Sequence, residues 1–219
     1  MTGSSILARW HSMGCSLYPL PVVNCAISGA TTHGLPTGFK GSNVVVVYIG
    51  SNDLKRGWIP EDIAGRLETY IGGLGSAQVV VLASIKSPDR EHYWDQVEAY
   101  NKLQEAICAK DPENRYYVDV NSCLQGHFEF FNCDGVHLTW NGLDALGRFL
   151  KPELEKAWSK SLGEEDSHGI NFLPAIISES SRKRTNIRAI NGLRGIAILH
   201  ISFEHYLEHL GPYDLMGGS

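Results

Sequence analysis

Asn43-Val44-Val45-Val46-Val47-Tyr48-Ile49-Gly50-Ser51-Asn52-Asp53 is the stretch that decides the fold. Four valines, a tyrosine and an isoleucine run without a polar break and stop at turn-forming residues. That pattern predicts a strand covered on both faces, which places it in a parallel sheet with helices on either side. Working outward, apolar β-branched runs bounded by turn residues predict further strands at Pro21–Ile27, Gln78–Ser84 and Tyr116–Val120. Helical patterns fall between and after them. Pro60 opens one at its first turn and Gly72-Gly73 closes it. A second places Val97, Tyr100, Leu103 and Ile107 on one face, and a third runs from Trp140 to Trp158 with Leu143, Leu146, Leu150 and Leu154 facing inward. Strand–helix alternation of this kind predicts a layered α/β domain.

Composition agrees with a packed domain. The chain has 219 residues, 43% hydrophobic and 20% charged, which allows a sizeable core and excludes wholesale disorder. A net charge of −5 argues against nucleic-acid binding by phosphate neutralisation. The charge divides unevenly: residues 181–219 carry five basic and three acidic residues, +2, and the remainder carries −7. Five cysteines (Cys15, Cys25, Cys108, Cys123, Cys133) form no C-x-x-C pair and read as reduced thiols. No charged segment followed by an apolar one marks a signal peptide at the start.

Three segments follow: an α/β domain over 1–162, a polar, serine-rich linker over 163–185 with the cluster Arg182-Lys183-Arg184, and a mostly apolar segment over 186–219. In the last, 190–210 is expected to be an apolar helix, although it carries Arg194, His200, Glu204, His205 and Glu208.

Sites in open α/β sheets form at the carboxyl ends of the strands. Four groups occupy such positions: Ser5 in Gly3-Ser4-Ser5-Ile6, Gly29, Asn52 and the pair Asp134 and His137 in Asp134-Gly135-Val136-His137-Leu138-Thr139. A serine hydroxyl becomes a nucleophile when a histidine takes its proton, and a carboxylate fixes that histidine's tautomer. A glycine N–H, an asparagine carboxamide and the serine's own N–H can donate to the oxyanion that forms. Singly, Ser5 also reads as an N-cap, Gly29 as a turn glycine, Asn52-Asp53 as a capping pair and Asp134 to His137 as a surface turn. Their order at the ends of successive strands makes them a set.

In these residues the sequence resembles the SGNH (GDSL-like) hydrolases, over about residues 3–158. Gly3-Ser4-Ser5-Ile6 with Trp10 is similar to the family's first block, with serine in place of the usual aspartate before the nucleophile. Asn24 to Gly29 is similar to the second block, and Tyr48-Ile49-Gly50-Ser51-Asn52-Asp53-Leu54 to the third. Ser84-Ile85-Lys86-Ser87-Pro88 resembles a strand-end segment of one subgroup, and Asp134 to Thr139 resembles the last block. The resemblance implies a flavodoxin-like three-layer α/β/α fold with a parallel sheet. It implies Ser5 as nucleophile, His137 as base, Asp134 as its orienter, and Ser5, Gly29 and Asn52 as oxyanion donors. The resemblance also implies hydrolysis of acetyl or other short acyl esters, with carbohydrate as a candidate alcohol, and no metal or organic cofactor.

The family carries a strand before the Gly-x-Ser block, whereas only Met1-Thr2 precedes it here. The first strand is therefore expected to be missing, the chain to be a fragment, and the protein as given to be unstable or inactive. The segment from Gly29 to Val44 also leaves little room for a helix.

Near the other end, Asn191-Gly192-Leu193-Arg194-Gly195-Ile196-Ala197-Ile198-Leu199, followed by His205, resembles the opening of the acyltransferase type 3 membrane O-acyltransferases. That implies Arg194 and His205 as a functional pair and a tether in the membrane. The Arg182–Arg184 cluster with Arg188 then puts the hydrolase domain in the cytoplasm. An amphipathic helix explains the same residues, and His205-Tyr206-Leu207-Glu208-His209 also spells an H-x-x-E-H pattern without an evident third metal ligand. Alternatives to an esterase are a part of a membrane O-acyltransferase, or a non-catalytic α/β interaction domain.

Overall fold

The computed structural model describes residues 1–39 and 41–166. In chain order its elements are β1 (Thr2–Gly3), α1 (Ser5–Ala8), α2 (Met13–Ser16), β2 (Val44–Tyr48), α3 (Ser51–Lys55), α4 (Pro60–Gly72), β3 (Gln78–Leu82), α5 (Trp94–Ala109), β4 (Arg115–Val118), α6 (Asn121–Leu124) and α7 (Trp140–Asp166). The four strands form one parallel sheet in the order β1-β2-β3-β4.

The valine run takes the form its composition dictates. The pleat of β2 sends Val45 and Val47 to one face and Val46 and Tyr48 to the other, and all four are buried. β3 pairs with it in register, Val45 opposite Val79 and Val47 opposite Val81. One face packs Val45, Val47, Val79 and Val81 against Ile63 and Leu67 of α4 and Val97 and Ile107 of α5. The other packs Val46, Val80 and Leu82 against Leu143, Leu146, Leu150 and Leu154 of α7 and Leu7 of α1. Both faces are covered, so the architecture is three-layer α/β/α, as expected. Each fully buried aliphatic side chain contributes about 1.5–3 kcal/mol, so the sheet's two faces hold the domain together.

Helix boundaries follow local chemistry. Pro60 stands in the first turn of α4, where its missing N–H costs nothing, and Gly73 caps the end. Ile63, Leu67 and Ile71 recur at helical spacing and are all buried. The regular course of α7 breaks at Gly163, whose φ of +77° is non-helical. Among the described residues between Gly29 and Val44 there is one 3-10 turn, Thr32–Gly34, in keeping with the shortness of that segment.

The expectation of a missing first strand is corrected by the sheet. Thr2 and Gly3 form β1, pairing in parallel with Val47 and Tyr48 of β2. The opposite side of β1 is partnered too. The Cys25 N–H donates to the Met1 carbonyl at 2.8 Å, the Ile27 N–H donates to the Gly3 carbonyl at 2.9 Å, and the Met1 amino group donates to the Val23 carbonyl. Residues 21–27, predicted as a regular strand, are instead extended chain that closes this edge. These two residues are bonded on both sides and lead the chain directly to Ser5. Gly3 is required there: its φ is +145°, and a Cβ would stand 2.0 Å from the Tyr48 carbonyl oxygen.

Candidate active site

Ser5 opens α1 directly after β1, and the Ser4 N–H donates to the Tyr48 carbonyl at 2.9 Å, extending the sheet contact to its doorstep. A short strand followed at once by a helical turn lifts the Ser5 side chain out at the carboxyl edge of the sheet. There the Ser5 Oγ lies 3.0 Å from His137 Nε2, across 132 residues of sequence. His137 Nδ1 lies 2.6 Å from Asp134 Oδ2. An ionised carboxylate only accepts, so Nδ1 carries the proton and Nε2 is left to accept from the serine hydroxyl.

Asp134 is fixed by its own turn. Its Oδ1 accepts from the His137 N–H at 2.9 Å and the Val136 N–H at 3.0 Å, while Oδ2 serves the ring. The His137 backbone N–H is the main cause that holds this carboxyl well below the usual carboxylate range; partial burial opposes it, and the His137 ring and Val136 N–H add to it. The loop around the pair is stitched by Asn132 N–H to His137 carbonyl (2.8 Å) and Thr139 N–H to Phe130 carbonyl (2.8 Å). Asp89 N–H, from the segment after β3, donates to the Gly135 carbonyl at 3.1 Å.

Asn52 lies at the end of β2, in the first turn of α3. Its Nδ2 donates one hydrogen bond to the Ala30 carbonyl at 2.9 Å, which orients the carboxamide and leaves the second Nδ2 hydrogen available. The neighbouring Asp53, fully buried, accepts from the Thr32 N–H at 3.0 Å and from its hydroxyl at 2.5 Å. Consecutive residues of α3 thus bolt down the 30–32 loop. Gly50 permits the turn: its φ is +111° and a Cβ would meet the Tyr100 ring at 2.3 Å.

Ser5, Asn52, Ser51, Tyr48, Ile85 and Arg90 are among the residues that line a solvent-open depression of about 260 Å³. Gly29 is not among them; it is exposed, and among the described residues its N–H has no hydrogen-bond partner. Ile85 and Ser87 face this depression, while Lys86 and Pro88 face a second groove with Trp94, Phe128 and Phe131. Alternation along 85–88 therefore makes one extended segment the wall between two grooves.

Sequence reasoning missed three contributors. Arg90 sits in a run of charged residues, Asp89-Arg90-Glu91, that reads as solvated surface, yet it is half-buried and bonds Ser51. Asn101 and Asn121 sit among apolar helix positions, and their amides anchor the 84–86 segment. Asn121 Oδ1 accepts from the Lys86 N–H at 2.8 Å, and its Nδ2 donates to the Ser84 carbonyl at 3.1 Å. Their only signal was a polar residue on a buried helix face.

Arg194, His205 and the apolar helix expected over 190–210 lie outside the described residues, as do the linker's basic cluster and the H-x-x-E-H pattern. Among the described residues no helix is long and apolar enough to cross a membrane. All five cysteines are unpaired.

Solved structures of similar fold include a member of the lipolytic protein G-D-S-L family from Veillonella parvula, with a TM-score of 0.61 at 15% identity over 71% of this chain and 96% of that one. A lipase/acylhydrolase from Enterococcus faecalis matches with a TM-score of 0.52 at 22% identity, covering 70% and 93%. An acetyl-xylooligosaccharide esterase from Geobacillus Stearmophilus matches at 0.53 and 17% identity, covering 74% and 92%. No curated protein matches the chain. The sequence model of the GDSL-like Lipase/Acylhydrolase family matches residues 3–145, a stretch that begins at the last residue of β1 and takes in β2, β3, β4, Ser5, Asn52, Asp134 and His137. By that match, and by a fold shared with the solved structures, the chain belongs to the GDSL-like lipase/acylhydrolase family.

Proposed function

We propose that this protein is a serine esterase that hydrolyses short acyl esters of the acetyl type borne on a carbohydrate alcohol. The observation that carries the proposal is the unbroken chain of contacts from Ser5 Oγ to His137 Nε2 and from His137 Nδ1 to Asp134. Ser5 Oγ attacks the acyl carbonyl as His137 Nε2 takes its proton, and Asp134 stabilises the imidazolium. The oxyanion is met by the Ser5 N–H, the free Nδ2 hydrogen of Asn52 and the Gly29 N–H. Collapse expels the alcohol, which receives the proton from Nε2. Water then attacks the acyl-enzyme, giving its proton to the same nitrogen and releasing the acid and free Ser5.

The depression beside Ser5 is lined by the apolar side chains of Ile6, Ile85 and Val136, against which a short acyl chain can pack. Carbohydrate as the alcohol is supported by the acetyl-xylooligosaccharide esterase among its structural neighbours. The test is hydrolysis of p-nitrophenyl acetate against the octanoate, with fluorophosphonate labelling. Wild type should prefer acetate and take the label, and Ser5→Ala should lose both. Equal turnover by wild type and Ser5→Ala would sink the assignment.

A further inference from the structure

Arg90 is the one cation among the residues that line the depression with Ser5, and no carboxylate shares that lining. Its Nη1 donates to Ser51 Oγ at 2.7 Å and reaches the Ser51 carbonyl at 3.4 Å, so its described partners are neutral oxygens. Its chain neighbours Asp89 and Glu91 are exposed and form no ion pair with it, while Asp53 pairs with Arg66, Asp134 with His137, and Glu98 with Lys86 and Lys102. Among the described residues no ion pair forms at Arg90, and its Nε and Nη2 hydrogens have no partner. A half-buried guanidinium held by neutral groups alone is partly stripped of water without a counter-charge. Its planar fork is suited to bidentate capture of a carboxylate or phosphate.

We infer that Arg90 is a specificity-determining residue that binds an anionic group on the alcohol part of the ester, so that the preferred substrate is an acylated sugar acid or sugar phosphate. This rests on the esterase reading above and names its substrate class. Ser51 fixes the guanidinium from beneath, on the turn that also carries Asn52, so the anion is recognised beside the oxyanion donors. Arg90 stands in the 3-10 segment Pro88–Tyr93 that leads into α5, at a residue with non-helical φ and ψ.

The experiment compares kcat/KM for acetylated galacturonate, acetylated galactose 6-phosphate and acetylated galactose. Wild type should favour at least one anionic ester over the neutral one by about 10–100-fold, the worth of a charged hydrogen bond. The carboxylate and phosphate arms tell which anion fits. Arg90→Gln should collapse the ratio toward one, Arg90→Lys should keep part of it, and Arg90→Glu should invert it. Rising salt should erode the preference in wild type and not in Arg90→Gln. A guanidinium that merely props Ser51 would lower all three rates together and leave the ratio unchanged, which overturns the inference. So does a wild type without preference. Should none of the esters turn over, the esterase reading fails separately, and calorimetric titration of Ser5→Ala with galacturonate, galactose 6-phosphate and galactose decides. Binding of an anion that Arg90→Gln in that background abolishes supports the site, and no binding of either anion overturns it.

Discussion

Asn101, on α5, holds both backbone groups of Ser84: its Oδ1 accepts the Ser84 N–H at 2.8 Å and its Nδ2 donates to the Ser84 carbonyl at 3.0 Å. A side-chain amide thereby does what a neighbouring strand would do, at the point where β3 has run out of ladder. Ser84 and Asn101 are both buried, so neither group has water as a substitute. Asn101→Leu should cost about 1–3 kcal/mol, from one orphaned backbone N–H, since the Ser84 carbonyl keeps the Asn121 Nδ2 donor. Chemical denaturation reads this as a lower midpoint at unchanged slope. A loss under about 0.5 kcal/mol, the size of an ordinary surface change, would show that Ser84 finds other partners.

Asn52→Ala should lower kcat by on the order of 10²–10³-fold with a much smaller change in KM, because the donor acts mainly on the transition state. The Ala30 carbonyl would lose its partner as well, so a melt should accompany the kinetics. A defect confined to KM would make Asn52 a substrate-binding residue instead.

Gly3→Ala forces a methyl onto the Tyr48 carbonyl in a backbone conformation that L-residues avoid. β1 must shift, and Ser5 follows two residues later. Stability should fall by about 1–3 kcal/mol, as for overpacked sites, and ester turnover should fall more steeply than the folded fraction. Full activity with an unchanged melting temperature would show that β1 does not position Ser5.

Asp134 gives a pH prediction with a definite sign. Its carboxyl is held below the usual range, chiefly by the His137 N–H, so the stabilising contribution is fully present above the unfolded value of about 4 and is lost as pH falls through the lower native value. Across the acid limb of the rate profile Asp134 therefore keeps its charge, and kcat/KM should fall with the uptake of one proton. Uptake of a second proton near pH 4 would show that Asp134 titrates like a free carboxyl. Asp134→Asn should lower kcat sharply without removing the label of a fluorophosphonate probe from every molecule, since Ser5 and His137 remain in contact.

The parts of this fold legible in the sequence are those whose burial is periodic. β2, β3, β4, α4, α5 and α7 were each legible as to type, and for α5 and α7 the spacing of apolar positions also stated the inward face. β1 is too short for composition to show: two residues become a strand only through register with Val47 and hydrogen bonds from Cys25 and Ile27. The 21–27 segment misled for the converse reason, since its apolar residues are extended but its backbone serves a two-residue neighbour. The grouping of Ser5, Asp134, His137 and Asn52 was legible because all four stand at strand ends; Gly29 was named with them and lies outside the lining of the depression. Arg90 and Asn101 were hidden because a charge within a charged run and an amide on a helix carry no local pattern. Their partners, Ser51 and Ser84, lie 39 and 17 residues away.

The wall at 85–88 has a practical consequence for anyone reshaping this protein. Because successive side chains leave it on opposite sides, the chamber beside Ser5 and the aromatic groove behind it are separately adjustable. Trimming Ile85 or Ser87 widens the first, and replacing Lys86 or Pro88 redraws the second. The amides of Asn101 and Asn121 hold the backbone on which all four are mounted, so selectivity can be retuned from either side while the scaffold stays put.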